Sequence, residues 1–188
     1  MEKWIVVAIL AATAIYGIGV FNRLVRLRNL AREGWSGIDV QLKRRTDLVP
    51  NLVETVKGYA AHERNVFEEV TATRASSIAA NDVTAQASAE QALQSSLGKL
   101  FAVAEAYPEL KADKNFLALQ QQLADIEDQL QMARRYYNGT VRNLNTAVQS
   151  FPTNVLAGMF GFQEQPFFEL EDRSQAAVPG VAFQPSKS

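Results

Sequence analysis

The sequence predicts an all-α protein in which an N-terminal transmembrane helix continues into an antiparallel bundle of about four long helices. Three observations support this fold class. The 18 residues from Trp4 to Phe21 contain no charged side chain. After them, apolar residues recur at steps of three and four, and the alternation typical of strands is missing. A chain of 188 residues that is 47% hydrophobic can also supply a core for one domain.

The uncharged stretch is the predicted membrane anchor, assigned to residues 1–21. As a helix, Trp4 to Phe21 is roughly 27 Å long, close to the thickness of the hydrocarbon core of a bilayer. Ala12-Thr13-Ala14 also resembles a signal-peptidase site. Cleavage there would leave Ile15 to Phe21 as an exposed apolar end, so an uncleaved anchor is the favoured interpretation.

Basic residues are distributed unevenly around the anchor. Arg23, Arg26, Arg28 and Arg32 follow it closely, whereas Lys3 is the only basic side chain before it. The positive-inside rule therefore predicts an N-terminus outside the cell and a cytoplasmic bundle domain.

The first helix is expected to leave the membrane without a break. Its apolar stripe runs from Leu24 to Leu42, meets Arg45, and resumes as far as Tyr59. Pro50 lies inside this stripe and lacks the N–H that would bond to the carbonyl of Thr46, so we expect a kink or an irregular turn between these residues. Gly58 marks the expected end of the helix.

Three further helices complete the predicted bundle, residues 22–151. The second covers about 63–80 and ends at Asn81-Asp82; the third has Thr84 as its N-cap and stops at Tyr107-Pro108. The longest begins at Asp113 or Asn115 and ends at Pro152. Its apolar period near 3.5 residues predicts left-handed, coiled-coil-like packing, with the first helix as a possible partner.

Beyond the bundle, residues 152–170 are interpreted as a docking segment. Half of the ten phenylalanines fall within 18 residues that begin at Phe151. Because this stretch contains no Lys or Arg, packing on the bundle or on another subunit is favoured over binding to a membrane surface. The polar tail at 171–188, broken by Pro179 and Pro185, is expected to be disordered.

Composition argues against several classes of function. The 19 basic and 20 acidic residues give a net charge of −1, which does not favour nucleic acid as a partner. Cysteine is absent, and the single histidine, His62, is followed four residues later by Val66 rather than a second metal ligand. Carboxylates at 68–69 and 125–128 fall on predicted polar helix faces. The sequence therefore predicts no catalytic residues, no cofactor and no metal site.

Two basic clusters interrupt the longest apolar stripes, Lys43-Arg44-Arg45 and Arg134-Arg135. Arg45 should therefore face a partner surface. One interpretation is an interhelical ion pair, for which the candidate acids are Asp39, Asp47, Glu127 and Asp128. The alternative is that these arginines fix the register between subunits, as a charge at a core heptad position does.

At these positions the chain resembles the LemA family of bacterial membrane proteins. The resemblance runs from Phe21 to Glu169, with small departures at Gly34, Thr46 and Leu144. It rests on the matching stretches Phe21–Val25, Trp35–Arg45, Asp47–Glu54, Lys57–Tyr59, Ala106–Ala112, Ala133–Asn138, Phe151–Asn154, Phe160–Phe162 and Phe167–Glu169. It implies a single N-terminal span, a soluble antiparallel bundle and a location in the bacterial plasma (inner) membrane, with no established catalytic residues.

Two functional hypotheses follow. The first is a membrane-anchored, non-catalytic scaffold or adaptor that forms a homo-oligomer and organises other membrane proteins. The alternative is an accessory subunit of a membrane-associated hydrolase or protease system, or such an enzyme itself, with an unrecognised site between helices. The candidate interaction or register residues are Trp35, Asp39, Arg44, Arg45, Asp47, Pro50, Arg134, Arg135, Tyr137, Phe160, Phe162, Phe167 and Phe168.

Overall fold

The computed structural model describes residues 1–169, which form six helices and no strand. The all-α class is therefore confirmed. The predicted disordered tail at 171–188 lies outside the described residues. The helices are α1 Glu2–Lys57, α2 Arg64–Ala79, α3 Val83–Glu105, α4 Pro108–Lys111, α5 Lys114–Gln149 and α6 Thr153–Met159.

Helix α1 joins the apolar N-terminal stretch to the bundle in 56 residues without a break. Residues 2–19 of this helix are exposed apart from the half-buried Gly17, and burial begins at Val20. Within residues 1–169, this is the one helix long and apolar enough to cross a membrane, by length and composition. The helix ends before Gly58, as predicted.

The irregular turn expected at Pro50 is not present, because α1 remains helical from Thr46 through Pro50. The carbonyl oxygen of Thr46, which Pro50 cannot bond, accepts a hydrogen bond of 2.7 Å from Nε of Arg74 in α2. A side chain from a neighbouring helix thus supplies the donor that proline removes.

Helices α1, α2, α3 and α5 form an antiparallel bundle. Arg74 near the end of α2 meets Thr46 of α1, and Lys99 of α3 reaches back to Glu69 of α2 at 2.6 Å. Tyr59, just beyond α1, donates a hydrogen bond of 3.1 Å to Asp113, just before α5. Helix α5 therefore runs back along α1, the pairing that the heptad stripe suggested.

The start of α3 differs from the prediction, whereas the start of α5 agrees with it. Asp82, not Thr84, caps α3, because its Oδ1 accepts hydrogen bonds of 2.9 and 2.8 Å from the amides of Thr84 and Ala85. Asp113 caps α5, one of the two alternatives proposed. The short helices α4 and α6 were not predicted. The stops predicted at Tyr107-Pro108 and Pro152 are confirmed, because α3 ends at Glu105 and α5 ends at Gln149. Each proline also stands at the start of the following short helix, where a missing N–H has little consequence.

Gly34 is buried where α1 and α5 cross most closely. A Cβ atom there would lie 3.0 Å from Cα of Tyr137 and 3.3 Å from the ring of Tyr136. In the sequence, Gly34 is only a small departure from the family pattern. In the fold, its missing side chain lets the two backbones approach each other.

Candidate interaction site

Five of the sequence-predicted interaction residues come together on the α1–α5 pair, in two adjacent features; they are Trp35, Arg45, Arg134, Tyr137 and Phe168. One is a buried charged cluster, consisting of Arg45, Glu90, Glu127 and Arg134. The other is an extended C-terminal segment, residues 162–169, which we call the strap. The strap lies on α1 and α5 beside the cluster.

Arg45 is the centre of the charged cluster. Its Nη2 lies 3.1 Å from a carboxylate oxygen of Glu127 in α5, and its Nη1 lies 3.5 Å from Glu90 in α3. The Arg45 side chain is 8% exposed and that of Glu90 is fully buried. Arg45 therefore connects three helices through charge.

Arg45 pairs with one of the acids proposed for it, Glu127, and with one that was not proposed, Glu90. Glu127 is present in the cluster, whereas Asp39, Asp47 and Asp128 are solvent-exposed and form no ion pair within residues 1–169. Glu90 was missed because it lies in a stretch of Ala, Ser and Gln without a clear apolar stripe. The available signal was its position three residues before Leu93, on the face that Leu93 and Leu97 define.

Glu90 is held by hydrogen bonds as well as by charge. Its Oε1 accepts one from the Ser77 hydroxyl of α2 and one of 3.2 Å from the Gln86 side-chain amide. The same amide donates a bond of 3.2 Å to the Ser77 carbonyl. A carboxylate with no solvent contact needs such donors, because an unpaired buried charge is strongly unfavourable.

Arg134 completes the cluster from α5. Its Nη1 lies 3.9 Å from Glu127, and none of its three guanidinium nitrogens makes a hydrogen bond within residues 1–169. Its guanidinium carbon instead lies 5.1 Å from the centre of the Phe168 ring, a cation–π contact. Burial lowers the pKa of Arg134, while the charge of Glu127 opposes that shift. Arg134 thus links the cluster to the strap.

Aromatic side chains hold the end of the strap. The ring of Trp35 lies 5.6 Å from that of Tyr137 and 5.8 Å from that of Phe168, which is 2% exposed. Tyr137 also donates a hydrogen bond of 2.9 Å from its hydroxyl to the Pro166 carbonyl. Burial raises the pKa of Tyr137, which keeps the phenol protonated as a donor.

Two asparagines of α5 bind the backbone of the strap. Asn145 donates to the carbonyl of Gln165 and accepts from its amide, both at 2.9 Å. Asn138 does the same with Phe168, at 3.1 and 2.9 Å. Seven helical residues rise about 10.5 Å and three extended residues span about 10 Å, so the two spacings match. Sequence reasoning missed both asparagines, because nothing in one helix shows that an extended segment will lie on it.

The remaining candidates lie at the surface. Asp39 and Asp47 line a cleft of about 340 Å³ between α1 and the α2–α3 turn. Arg44, Arg135 and Pro50 are exposed, and neither arginine forms an ion pair in the described chain. Phe162 is buried against α1, whereas Phe160 and Phe167 are 55% and 36% exposed. Only part of the predicted docking segment therefore packs on the bundle.

The polar groups of the cluster bond to one another within the chain. The cluster pairs two cations with two carboxylates inside the protein, and its Ser77 hydroxyl bonds a carboxylate rather than an imidazole. Within residues 1–169, no three His, Cys, Asp or Glu side chains are placed to hold a metal ion. His62 is exposed in the loop before α2. The arrangement fixes which parts of α1, α3 and α5 face each other.

Comparison with known proteins gives a family match and several relatives. The model of the LemA family matches residues 34–183. The chain is 24% identical to the magnetosome protein MamQ of Magnetospirillum gryphiswaldense over 174 residues, 79% of this chain and 64% of MamQ. It is 26% identical to the protein LemA of Metamycoplasma hominis, over 86% of this chain and 74% of that protein.

The match to MamQ is partial in length. The alignment covers just under two thirds of MamQ from M. gryphiswaldense, and the same share of a MamQ protein of Paramagnetospirillum magneticum at 23% identity. None of these relatives is named as an enzyme.

Proposed function

This chain belongs to the LemA family, and we propose that it is a membrane-anchored, non-catalytic helical scaffold that self-associates and organises other membrane proteins. In this proposal residues 4–21 cross the bacterial plasma (inner) membrane once, the N-terminus lies outside, and the bundle lies in the cytoplasm. The partners are the bilayer, further copies of the chain and other membrane proteins.

The continuity of α1 is the single observation that supports this function. The same helix that supplies the apolar N-terminal stretch contributes Leu24, Ile38 and Val56 to the buried core of the bundle. A bundle attached in this way has a fixed axis relative to its anchor, unlike a domain on a flexible linker. Such a rigid platform suits a scaffold.

The surface left for other proteins is also defined by the fold. The heptad stripe of α5 packs against α1 within the chain. That stripe is therefore buried, and self-association has to use another surface. Half-exposed apolar side chains remain on the outer faces of α1, α2 and α5, namely Val40, Ile78, Leu117, Met132 and Tyr136. These are the candidate contacts for scaffolding.

Self-association is tested by particle imaging and mass measurement of the full-length protein in mild detergent and in lipid nanodiscs. A multimer of defined subunit number is expected. A paired variant, Met132→Glu with Tyr136→Glu, should lower the subunit number, while Arg135→Glu on the same helix serves as the charge control. A strictly monomeric particle without co-purifying proteins in both environments would rule the scaffold out.

The rigid connection is tested by hydrogen exchange at the amides of residues 22–29 in nanodiscs. Because these residues are helical, slow exchange is expected throughout the stretch. Exchange at the rate of an unstructured chain would mean that the anchor and bundle are flexibly joined, and the platform would be lost.

A further inference from the structure

The end of the bundle nearest the uncharged N-terminal stretch of α1 has an exposed apolar surface. It is formed by Phe151, Val155, Met159 and Phe160, which are 83%, 54%, 73% and 55% exposed, and we call it the tip. Helix α6 supplies two of these residues, Val155 and Met159, one turn apart on the same face. Ala157, on the opposite side of α6, is buried. Helix α6 therefore has apolar side chains both on its buried side and on its exposed side.

The tip is fixed at the level where the predicted span ends. Ala157 and Phe162 share a buried cluster with Val20 and Leu24 of α1. The ring of Phe21 lies 4.9 Å from that of Phe160 and 5.8 Å from that of Phe162. Val20 and Phe21 belong to the uncharged stretch itself, so the C-terminal segment overlaps the last turn of the span.

Membrane dimensions then determine the surroundings of the tip. From Trp4 to Phe21 the helix rises roughly 27 Å, so one edge of a hydrocarbon core about 30 Å thick falls near Phe21. Structures that lie in the membrane interface bury an apolar face about 5 to 10 Å into the boundary of headgroups and acyl chains. Phe160 of the tip contacts Phe21 and so lies at that boundary.

The charged side chains near the tip are distributed as expected for a segment at the membrane interface. Residues 151–163 contain no charged side chain, whereas Arg23 and Arg26 of α1 follow directly after the span and are exposed. The segment taken alone lacks the basic residues of an interfacial motif, but the fold places it beside basic residues that another helix supplies. Arg28 lies with its guanidinium carbon 5.0 Å from the centre of the Phe162 ring.

We propose that the tip is a second membrane contact, in which Phe151, Val155, Met159 and Phe160 insert into the lipid interface beside the span. The bundle is then held at the bilayer at two places, and its tilt is limited. This inference rests on the proposed anchoring by residues 4–21. The occupant of the surface is lipid, and a second copy of the chain is an alternative that the test distinguishes.

Site-specific spin labels test the proposal, and the absence of cysteine from the chain makes single labels straightforward. The variants Phe151→Cys and Met159→Cys report on the tip. Ile9→Cys is the reference for the span, and Ala118→Cys, at an exposed position in the first turns of α5, is the reference for water. Each labelled full-length protein is reconstituted in vesicles of phosphatidylcholine and phosphatidylglycerol, and collisions with oxygen and with a water-soluble nickel complex are measured.

The expected result is that both tip labels fall between the Ile9 and Ala118 labels, with more oxygen collisions and fewer nickel collisions than at Ala118. Frequent nickel collisions at the tip, as at Ala118, would overturn the proposal because the tip would lie in water. Few collisions with both reagents would also overturn it, because the tip would be covered by protein. A water-exposed label at Ile9 would instead refute the anchoring itself.

A smaller probe guards against disturbance by the label. In the same vesicles, the unlabelled thiol of Met159→Cys should react on the order of tenfold more slowly with a membrane-impermeant maleimide than that of Ala118→Cys, because the reagent is excluded from the apolar interface. Each extent is normalised to the value after complete unfolding. Equal rates would contradict a lipid contact.

Discussion

The α1–α5 pair is covered in two different ways along its length. In the half far from the anchor, the helices α2 and α3 pack on it, and the core consists of aliphatic and aromatic side chains such as Leu52, Leu97 and Phe116. In the half near the anchor, the strap and α6 take that place. A small cavity of about 220 Å³ lies at the junction, between Val83 of α3 and Gln165 of the strap.

A helix and an extended segment need different partners when they pack on the α1–α5 pair. A helix satisfies its own backbone hydrogen bonds, so α2 and α3 can be held largely by apolar contacts. An extended segment presents free N–H and C=O groups, which need partners when they are covered. Asn138 and Asn145 supply those partners, and within residues 1–169 no pair of asparagines binds a backbone in this way in the other half.

The largest expected effect comes from the charged cluster, in the half covered by helices. Arg45→Met leaves the buried carboxylate of Glu90 without its cation, and breaking such a pair costs about 3 to 5 kcal/mol of the free energy of unfolding. Urea denaturation of the full-length protein in detergent measures it. The neighbouring exposed Arg44→Met is the control, expected within about 0.5 kcal/mol of wild type. Similar values for both variants would show that the cluster contributes little.

A second comparison concerns the crossing near the junction of the two halves. At exposed Gly37, alanine should stabilise α1 by up to about 1 kcal/mol, because glycine is a poor helix former. At Gly34, the new methyl group meets the backbone of Tyr137, and overpacking of about 1 to 3 kcal/mol should outweigh that gain. Thermal melts of Gly34→Ala and Gly37→Ala should therefore shift in opposite directions. Stabilisation by both would refute close contact at Gly34.

A local effect is expected from the strap. Asn138→Ala and Asn145→Ala each remove two hydrogen bonds, worth about 0.5 to 1.5 kcal/mol apiece. Hydrogen exchange at the amides of Gln165 and Phe168 should accelerate roughly tenfold or more. The core of α2 and α3 should keep its protection, and exposed Asn143→Ala should leave the strap unchanged. Loss of protection across the whole bundle would mean that the two covers are not independent.

The smallest effect concerns the far end of the bundle. Hydrogen bonding from the Phe116 amide, helped by the Tyr59 hydroxyl, lowers the pKa of Asp113 from its ordinary value of 3.8. A carboxylate with a lowered folded-state pKa stabilises the protein above the unfolded value, and this contribution is lost as pH falls through the folded value. Asp113→Asn should therefore have a slightly lower Tm than wild type at pH 7, with the difference disappearing below pH 3.8. Exposed Asp128→Asn serves as the control, and a pH-independent difference would contradict the assignment.

Much of the fold could be predicted because it depends on local pattern. The apolar stripe of α5 and the uncharged N-terminal stretch gave the longest helices, and Gly58 gave the end of α1. Pro50 shows the limit of such reasoning, since its consequence depended on Arg74 in another helix. The ion pair of Arg45 was expected, but Glu90 was not among its candidate partners, because the sequence does not show which face of α3 meets α1.

By itself, the sequence determined the helical class, the candidate membrane span and the family resemblance, because periodicity and hydrophobicity act over neighbouring residues. Only the tertiary structure decided where the phenylalanine-rich segment goes. Phe162 and Phe168 are buried on the α1–α5 pair, while Phe151 and Phe160 remain exposed beside the end of the span. The backbone of Phe168 is held by Asn138 and that of Gln165 by Asn145, and such pairing between a helix and an extended segment exists only when residues distant in the sequence meet.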